Sequence, residues 1–207
     1  MLEIKNVTKI LNKRKVLDEV SYTFNKGTIY GLYGANGSGK TMLLRLVSGL
    51  IVPTEGEVYW NNKKLHEDIS FPGNVGIVIE NMEMLPQYTA KQNLKILSRL
   101  KNIATEVDIE NVLKRVGLEA AKDLNVKKYS LGMKQRLNIA QAIFEKQDLI
   151  LLDEPTNALD EEGIKLIYDI MQEEKKRGAT IIIATHHKED LANMCDVLIN
   201  VKNGKIY

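Results

Sequence analysis

The sequence contains very little cysteine and no long apolar run. Cys195 is the single cysteine among 207 residues, so no internal disulfide can form, which fits a reducing compartment. No stretch approaches 18 uninterrupted apolar residues, and the first residues alternate like a strand without a signal-peptide pattern. We therefore expect a cytoplasmic chain that does not itself span a membrane.

The chain also lacks a strong charge of either sign, an internal repeat and a low-complexity segment. Its formal net charge of +2 gives no electrostatic reason to expect a nucleic-acid partner. It has two short basic runs, Lys13–Lys15 and Lys175–Arg177, of which the second precedes Gly178 and is typical of a helix C-terminus. With 44% hydrophobic and 27% charged residues, the composition is that of an ordinary globular protein of one domain, or of one domain with a subdomain.

The hydrophobic patterns predict an α/β fold. The first thirty or so residues alternate, which indicates a small antiparallel start. The unbroken apolar runs Leu149–Leu152 and Thr180–Ala184, with a helix between them, predict a parallel sheet that is buried on both faces. From about residue 89 to residue 145 the apolar spacing is helical, which indicates an inserted helical subdomain. Asn203-Gly204 predicts a hairpin.

A glycine-rich segment, GANGSGKT, lies between a predicted strand and a predicted helix. It has the pattern G-x-x-x-x-G-K-[ST], in which backbone N–H groups at a helix N-terminus surround a phosphate. In this pattern Lys40 reaches the β- and γ-phosphates, and the Thr41 hydroxyl ligates Mg²⁺. The predicted nucleotide-binding residues of this segment are Gly34, Ala35, Asn36, Gly37, Ser38, Gly39, Lys40, Thr41 and Met42.

Two acidic residues follow the apolar run at 149–152. Open α/β sheets bind ligands at the carboxyl edge of their strands, which is where Asp153 and Glu154 would lie. Asp153 would ligate Mg²⁺ directly or through water, and Glu154 would then be free to polarise an attacking water. The alternative is that the two acids cap a helix before Pro155. The phosphate loop in the same chain favours the catalytic interpretation.

Four motifs in order resemble those of the ATP-binding cassette (ABC) ATPases, and the resemblance covers the whole chain. After the phosphate loop, YSLGMKQR at 129–136 resembles their signature motif, LLDEPTNALD at 151–160 their Walker B motif and D-loop, and ATHHKED at 184–190 their switch-histidine loop. The resemblance implies a P-loop NTPase with a RecA-like, mostly parallel core, an N-terminal antiparallel β subdomain and an inserted α-helical subdomain. A single nucleotide-binding domain would then occupy residues 1–207.

The resemblance also implies roles for individual residues. Ser130 and Gly132 match signature residues that contact the γ-phosphate of ATP bound to a partner subunit. Asp160 matches the D-loop aspartate, which helps to couple two sites. His186 matches the histidine that contacts the γ-phosphate and positions the water, and the motif register favours it over the adjacent His187. Ser130 is in addition expected to cap the helix that follows it.

Several positions depart from the family pattern. Glu80 stands where a Gln is usual; its carboxylate could approach Mg²⁺ or the water, but it adds negative charge beside the phosphates. Leu131 and Met133 replace the first Gly and the Gln of the usual signature. Leu11 takes the position of the Tyr that usually stacks on adenine, with Val16 as the expected apolar contact, and this predicts loose discrimination between bases.

The implied function is that of an ATPase subunit that dimerises, as a homodimer or a heterodimer, around two ATP and two Mg²⁺. Transport would require separate transmembrane permease subunits, which would hold the chain at the inner face of the cell membrane, with Asn81–Tyr88 as the expected docking surface. Glu80 and the YSLGMKQR segment together resemble the branch of bacitracin-resistance and lantibiotic-immunity exporters.

Two alternative classes remain open at this point. Non-transport ABC ATPases act on ribosomes or DNA, but they usually carry two cassettes or a long inserted coiled coil. A small-molecule kinase also uses a phosphate loop, but it would not need the signature motif.

Overall fold

The computed structural model describes residues 1–80 and 82–207. The strands are β1 (Leu2–Leu11), β2 (Arg14–Phe24), β3 (Ile29–Tyr33), β4 (Glu55–Trp60), β5 (Lys63–Lys64), β6 (Val75–Val78), β7 (Leu149–Asp153), β8 (Thr180–Thr185), β9 (Val197–Lys202) and β10 (Lys205–Ile206). The helices are α1 (Lys40–Val47), α2 (Ala90–Lys101), α3 (Glu106–Arg115), α4 (Leu131–Ile143), α5 (Glu161–Lys176) and α6 (Lys188–Ala192).

The larger sheet has the strand order β10-β9-β3-β8-β7-β6 and is parallel except for β10. The unbroken apolar strands β7 and β8 are buried along almost their whole length, which confirms the predicted parallel sheet between two layers. Strands β3, β8, β7 and β6 are neighbours that run in one direction, so the loops that follow them all leave the sheet at the same edge.

The first strands form the predicted antiparallel sheet, whose order is β2-β1-β4-β5. Its buried face supplies Leu2, Leu17 and Phe24 to an apolar cluster shared with Leu43 and Leu46 of α1. The helix that follows the phosphate loop is thus enclosed between the two sheets, and its N-terminus is held in place by packing on both sides.

Three helices, α2 to α4, lie within the range predicted to be helical. Threonine caps define the starts of two of them: Thr89 and Thr105 each form a capping box with the residue three positions on. The insertion does not have a core of its own, since Leu94 and Leu113 belong to the same apolar cluster as Ile150 of β7. The division of residues 1–207 into one domain with a subdomain therefore stays a prediction.

Two sequence features have purely structural surroundings. The run Lys175–Arg177 ends α5 as predicted, and Lys175 pairs with Asp196, whose other carboxylate oxygen accepts the Ile29 N–H at 2.9 Å. Cys195 is packed beneath β3, and burial raises the pKa of its thiol to about 12. None of the helices in the described part of the chain has the length and apolar character of a membrane span.

The contact between β6 and α4 depends on a glycine. A Cβ on Gly76 would lie 1.8 Å from the carbonyl oxygen of Ala142, so Gly76→Ala forces strand and helix apart. We predict that Gly76→Ala lowers the free energy of unfolding by at least about 2 kcal/mol, because overpacking a core is costly. Gly73→Ala is the matched control, since a Cβ there meets nothing within 4 Å. Equal urea midpoints for the two variants would contradict the observed packing.

Candidate active site

Segments that follow the carboxyl ends of β3, β7 and β6 line one cavity of about 590 Å³, and the end of β8, whose residues do not line it, lies between β3 and β7 in the sheet. Strand β3 leads into the phosphate loop, β7 ends at Asp153, β8 is followed by His186, and Glu80 lies just after β6. The sequence separates these groups by up to about 150 residues, and the parallel sheet brings them together. The cavity is lined by Arg14, Lys15, Val16, Asn36, Gly37, Gly39, Lys40, Thr41, Met42, Glu80, Asp153, Glu154, Asn203 and Gly204.

The phosphate loop leaves donors that fit an anion. Gly39 precedes α1 with a left-handed backbone and no side-chain cap, so the first N–H groups of the helix are available to a phosphate. The Ser38 hydroxyl is buried and has no hydrogen-bond partner within the described residues. Lys40 Nζ donates to the carbonyl oxygens of Gly34 at 2.7 Å and Ala35 at 3.3 Å. Burial lowers the pKa of Lys40, while the nearby carboxylates oppose this shift.

The predicted hairpin β9–β10 supports the phosphate loop, which the sequence did not indicate. The Gly204 N–H donates to the Ser38 carbonyl at 2.8 Å. A Cβ on Gly34 would lie 2.1 Å from the Val201 carbonyl oxygen, so this glycine permits the close approach of loop and hairpin. Contacts between residues about 165 positions apart leave no local pattern in the sequence. The Asn203-Gly204 turn indicated the hairpin but not its contact with the loop.

Thr41 and Asp153 form an oxygen pair at the cavity. The Thr41 hydroxyl donates to Asp153 Oδ2 at 2.6 Å. Burial raises the pKa of Asp153; the Thr41 hydrogen bond and Lys40 oppose this, whereas Glu154 and Glu80 add to it. Hydroxyl and carboxylate oxygens are the donors that Mg²⁺ takes. The described residues contain no group of three His, Cys, Asp or Glu arranged to hold a metal ion.

The Glu154 carboxylate is held by the loop that follows β8. Its Oε2 accepts the Thr185 hydroxyl at 2.7 Å, and its Oε1 accepts the His186 N–H at 3.0 Å and contacts His186 Nδ1 at 2.7 Å. Burial raises the pKa of Glu154, but the hydrogen bonds from His186 and Thr185 together outweigh burial and leave the pKa below its ordinary value. A carboxylate has about four lone-pair sites, so one site remains to accept a water.

The two adjacent histidines have different surroundings. His186 contacts Glu154 through its ring atom Nδ1, so Nε2, the other ring nitrogen, is not used in this contact. The His187 ring lies against that of His186, tilted by 44° with 3.8 Å between centroids, and the backbone N–H of His187 donates to the Thr185 hydroxyl at 3.1 Å. The structure thus places the histidine favoured by the motif register beside the predicted base.

Glu80 has a partner that sequence reasoning missed. Arg45, in the last turn of α1, donates to Glu80 Oε2 at 2.5 Å. Arg45 therefore balances the negative charge that Glu80 adds where a Gln is usual. The sequence shows Arg45 on the helix that follows the phosphate loop, but it does not show that Glu80 is the partner of this arginine.

The assignment of Leu11 to the position of the usual stacking Tyr stays a prediction. Leu11 ends β1, is 38% exposed and does not line the cavity, because the turn at Asn12-Lys13 separates it from the phosphate loop. Val16 does line it, as predicted, together with Arg14 and Lys15 from a basic run whose role was not predicted. No aromatic side chain in the described part of the chain lines the cavity. Loose base discrimination stays a prediction.

Ser130, Gly132 and Asp160 lie away from this cavity. Ser130 caps α4 by accepting the Met133 N–H at 3.2 Å, as predicted. Asp160 caps α5 by accepting the Gly163 N–H at 2.8 Å, so the helix cap is Asp160 and not the pair at 153–154. A Cβ on Gly132 would lie 2.9 Å from the Ala158 carbonyl oxygen. Among the described residues that line the cavity, none is Ser130, Gly132 or Asp160.

The fold and the site define a P-loop NTPase of the cassette type, and comparison with known proteins agrees. A family described as "ABC transporter" matches residues 17–157. The ABC transporter ATP-binding protein YybJ of Bacillus subtilis (strain 168), described as uncharacterised, is 61% identical over all of this chain and 94% of that protein. The solved structure described as a dimeric, post-hydrolysis state of the ATP-binding cassette MJ0796 bound to ADP and Pi has a TM-score of 0.89 and 28% identity, and the alignment covers all of this chain and 96% of that one.

Two further relatives have transport in their names. The lantibiotic transport ATP-binding protein SrtF of Streptococcus pyogenes is 33% identical over all of this chain and 89% of that protein. The bacitracin transport ATP-binding protein BcrA of Bacillus licheniformis is 34% identical over all of this chain and 68% of that protein. This chain therefore belongs to the ABC transporter family, as an ATP-binding subunit, and the predicted resemblance to the bacitracin and lantibiotic branch is confirmed.

Proposed function

We propose that the chain hydrolyses ATP in a dimer of two ATP-binding subunits and thereby powers transport through separate membrane subunits. The observation that carries the proposal is the Glu154 carboxylate, held by Thr185 and His186 beside a phosphate-binding loop. The arrangement provides a base, a cationic lysine and free helix N–H groups around one cavity. These are the parts that phosphoryl transfer to water needs.

Glu154 acts as the general base. Its depressed pKa keeps the carboxylate ionised near neutral pH, and its remaining lone pair accepts a proton from the attacking water. The water oxygen attacks the γ-phosphorus, the bond to the β–γ bridging oxygen breaks, and ADP and phosphate are left. Lys40 and the N–H groups of the loop stabilise the charge on the phosphate oxygens. Thr41, Asp153 and Glu80 would hold Mg²⁺, which would neutralise charge on the phosphates when bound.

The proposed dimer is head to tail. Ser130 and Gly132 lie outside the cavity of their own chain, which supports a role for them at the nucleotide of a partner. Ser130 caps α4, so the N-terminus of a thirteen-residue helix would face that γ-phosphate. The MJ0796 cassette is described as dimeric, which supports dimerisation of this chain. Asp160, at the start of α5, would lie between the two sites.

The membrane partner is proposed to dock beside α4. A small cavity of about 80 Å³ there is lined by Met82, Met84, Leu137 and Asn138, among others. Methionines adapt to different partners, which suits a docking surface. The predicted surface was Asn81–Tyr88; Asn81 lies outside the described residues, and four of the others line this cavity, namely Met82, Glu83, Met84 and Pro86. Through this partner the chain would lie at the inner face of the cell membrane.

The proposed cargo is an antimicrobial peptide or a drug. This part rests on the names of SrtF and BcrA, a lantibiotic and a bacitracin transport ATP-binding protein, and on the resemblance of Glu80 and the YSLGMKQR segment to that branch of exporters. Nothing in the chain favours ribosomes or DNA, and its net charge is close to zero.

Glu154→Gln tests the catalytic part of the proposal. The amide keeps the shape of the side chain but cannot accept the proton, so we predict that turnover falls by at least about 100-fold while ATP still binds. Because the products no longer form, the variant should accumulate as an ATP-bound dimer. The measurements are phosphate release, nucleotide affinity and the mass of the complex in solution.

Asp169→Asn serves as the control for removal of one carboxylate, since Asp169 lies on the exposed side of α5 and pairs only loosely with Lys165. Its turnover should match that of the unmodified chain. Turnover near the unmodified rate in Glu154→Gln would remove Glu154 as the base and with it the proposed mechanism.

The transport part predicts a stable complex in membranes. A tagged chain should co-purify with the membrane protein encoded beside it. Replacing Met82 and Met84 by Asp should release it, because two adaptable apolar contacts are lost and two charges would be buried against the partner. Leu100→Asp is the control for adding a charge at an apolar side chain outside that cavity, since Leu100 is 79% exposed. Recovery of ribosomes or DNA in place of a membrane protein would contradict the transport role.

A further inference from the structure

Helix α4 carries three amide side chains at every third position. Gln135 Nε2 donates to the carbonyl oxygens of Glu154 at 3.3 Å and Pro155 at 3.0 Å. Asn138 Nδ2 donates to the Met82 carbonyl at 3.2 Å. Gln141 Nε2 donates to the Ile77 carbonyl at 2.5 Å. We call Gln135, Asn138 and Gln141 the amide stripe; residues at such spacing lie on one side of a helix.

The acceptors of the amide stripe belong to the two segments that carry the acidic groups of the site. Gln135 bonds the backbone of Glu154 itself, while Asn138 and Gln141 bond residues on either side of Glu80. Both glutamates have a left-handed backbone, with φ of 49° for Glu154 and 58° for Glu80. Non-glycine residues keep this conformation only where their surroundings impose it, so the backbone hydrogen bonds around them matter.

Gln135 bears most directly on the predicted base. The Glu154 N–H donates to the Ala184 carbonyl at 2.8 Å, and its own carbonyl also accepts the Asn157 N–H at 3.2 Å. These bonds fix the position of the Glu154 Cα. The Gln135 amide, which comes from α4, also donates to the carbonyl oxygens of both Glu154 and Pro155. The direction in which the carboxylate leaves the backbone thus depends on the position of α4.

We infer that Gln135 is a positioning residue for Glu154, and that the amide stripe couples α4 to both acidic groups of the site. The inference rests on the proposed function, since it assigns Gln135 a role through the proposed base. Ser130, which caps the same helix, is proposed to meet the nucleotide of the partner subunit. A shift of α4 on nucleotide binding at one site therefore moves the base of the other site.

The primary test is Gln135→Met in the full chain. Methionine has nearly the same length but no N–H donor, so the Glu154–Pro155 backbone loses this bond while packing is largely kept. We expect kcat for ATP hydrolysis to fall by about 10- to 100-fold, as small misplacements of catalytic groups do, with KM within about twofold. Gln135→Asn keeps an amide that is too short to reach, and it should show the same loss if the first variant folds poorly.

Gln172→Met is the matched control. Gln172, on α5, also donates an amide N–H to a backbone carbonyl, that of Met194 at 3.4 Å, but it touches neither acidic segment. Its kcat should equal that of the unmodified chain. The urea midpoints of both methionine variants should agree, which separates a loss of position from a loss of stability.

A double variant shows whether Gln135 acts through Glu154. In the Glu154→Gln background the base is absent, so adding Gln135→Met should not lower the residual single-turnover rate further. An additional loss of the same size as in the unmodified chain would overturn the inference, and so would an unchanged kcat in Gln135→Met. If Glu154→Gln itself retains full turnover, the proposed function fails first, which is a distinct result.

Discussion

The contact between the Glu154 carboxylate and the Thr185–His186 loop is the interaction on which the site depends. It joins the ends of β7 and β8 and sets the orientation and charge of the predicted base. Three hydrogen bonds outweigh the effect of burial on the pKa, so an anion is maintained within reach of a phosphate-binding loop. Lys40 supplies a compensating charge across the cavity. Without this contact the base would have no fixed direction, and burial would raise its pKa without opposition from these hydrogen bonds.

The remaining fold can be understood as support for that contact. A parallel order for β3, β8, β7 and β6 is needed for the phosphate loop, the base, the histidine and Glu80 to meet at one edge. The hairpin β9–β10 braces the loop, the antiparallel sheet encloses α1, and α4 reaches both acidic segments through its amides. Each element that contacts the cavity is therefore fixed from a second side.

Sequence patterns predicted the parts whose signals are local. The apolar runs at β7 and β8, the alternation of β1 and β2 and the glycine-rich loop each determine their own structure, and the fold class followed from their order. The pairings of Arg45 with Glu80 and of Gln135 with the Glu154 backbone were missed, because side chains at ordinary helix positions do not indicate what they will meet. Leu11 was assigned from motif position alone; it does not line the cavity, whereas Val16, after the turn at Asn12-Lys13, does.

The central claim is that each ATP site is built from two chains, with the phosphate loop of one and Ser130 of the other. It is tested most directly by mixing two inactive variants, Ser130→Arg and Lys40→Ala, and measuring ATP hydrolysis. Each mixed dimer contains one site with an intact loop and an intact Ser130, so the mixture should recover part of the activity that neither variant has alone. A mixture that stays as inactive as its two components would contradict the claim.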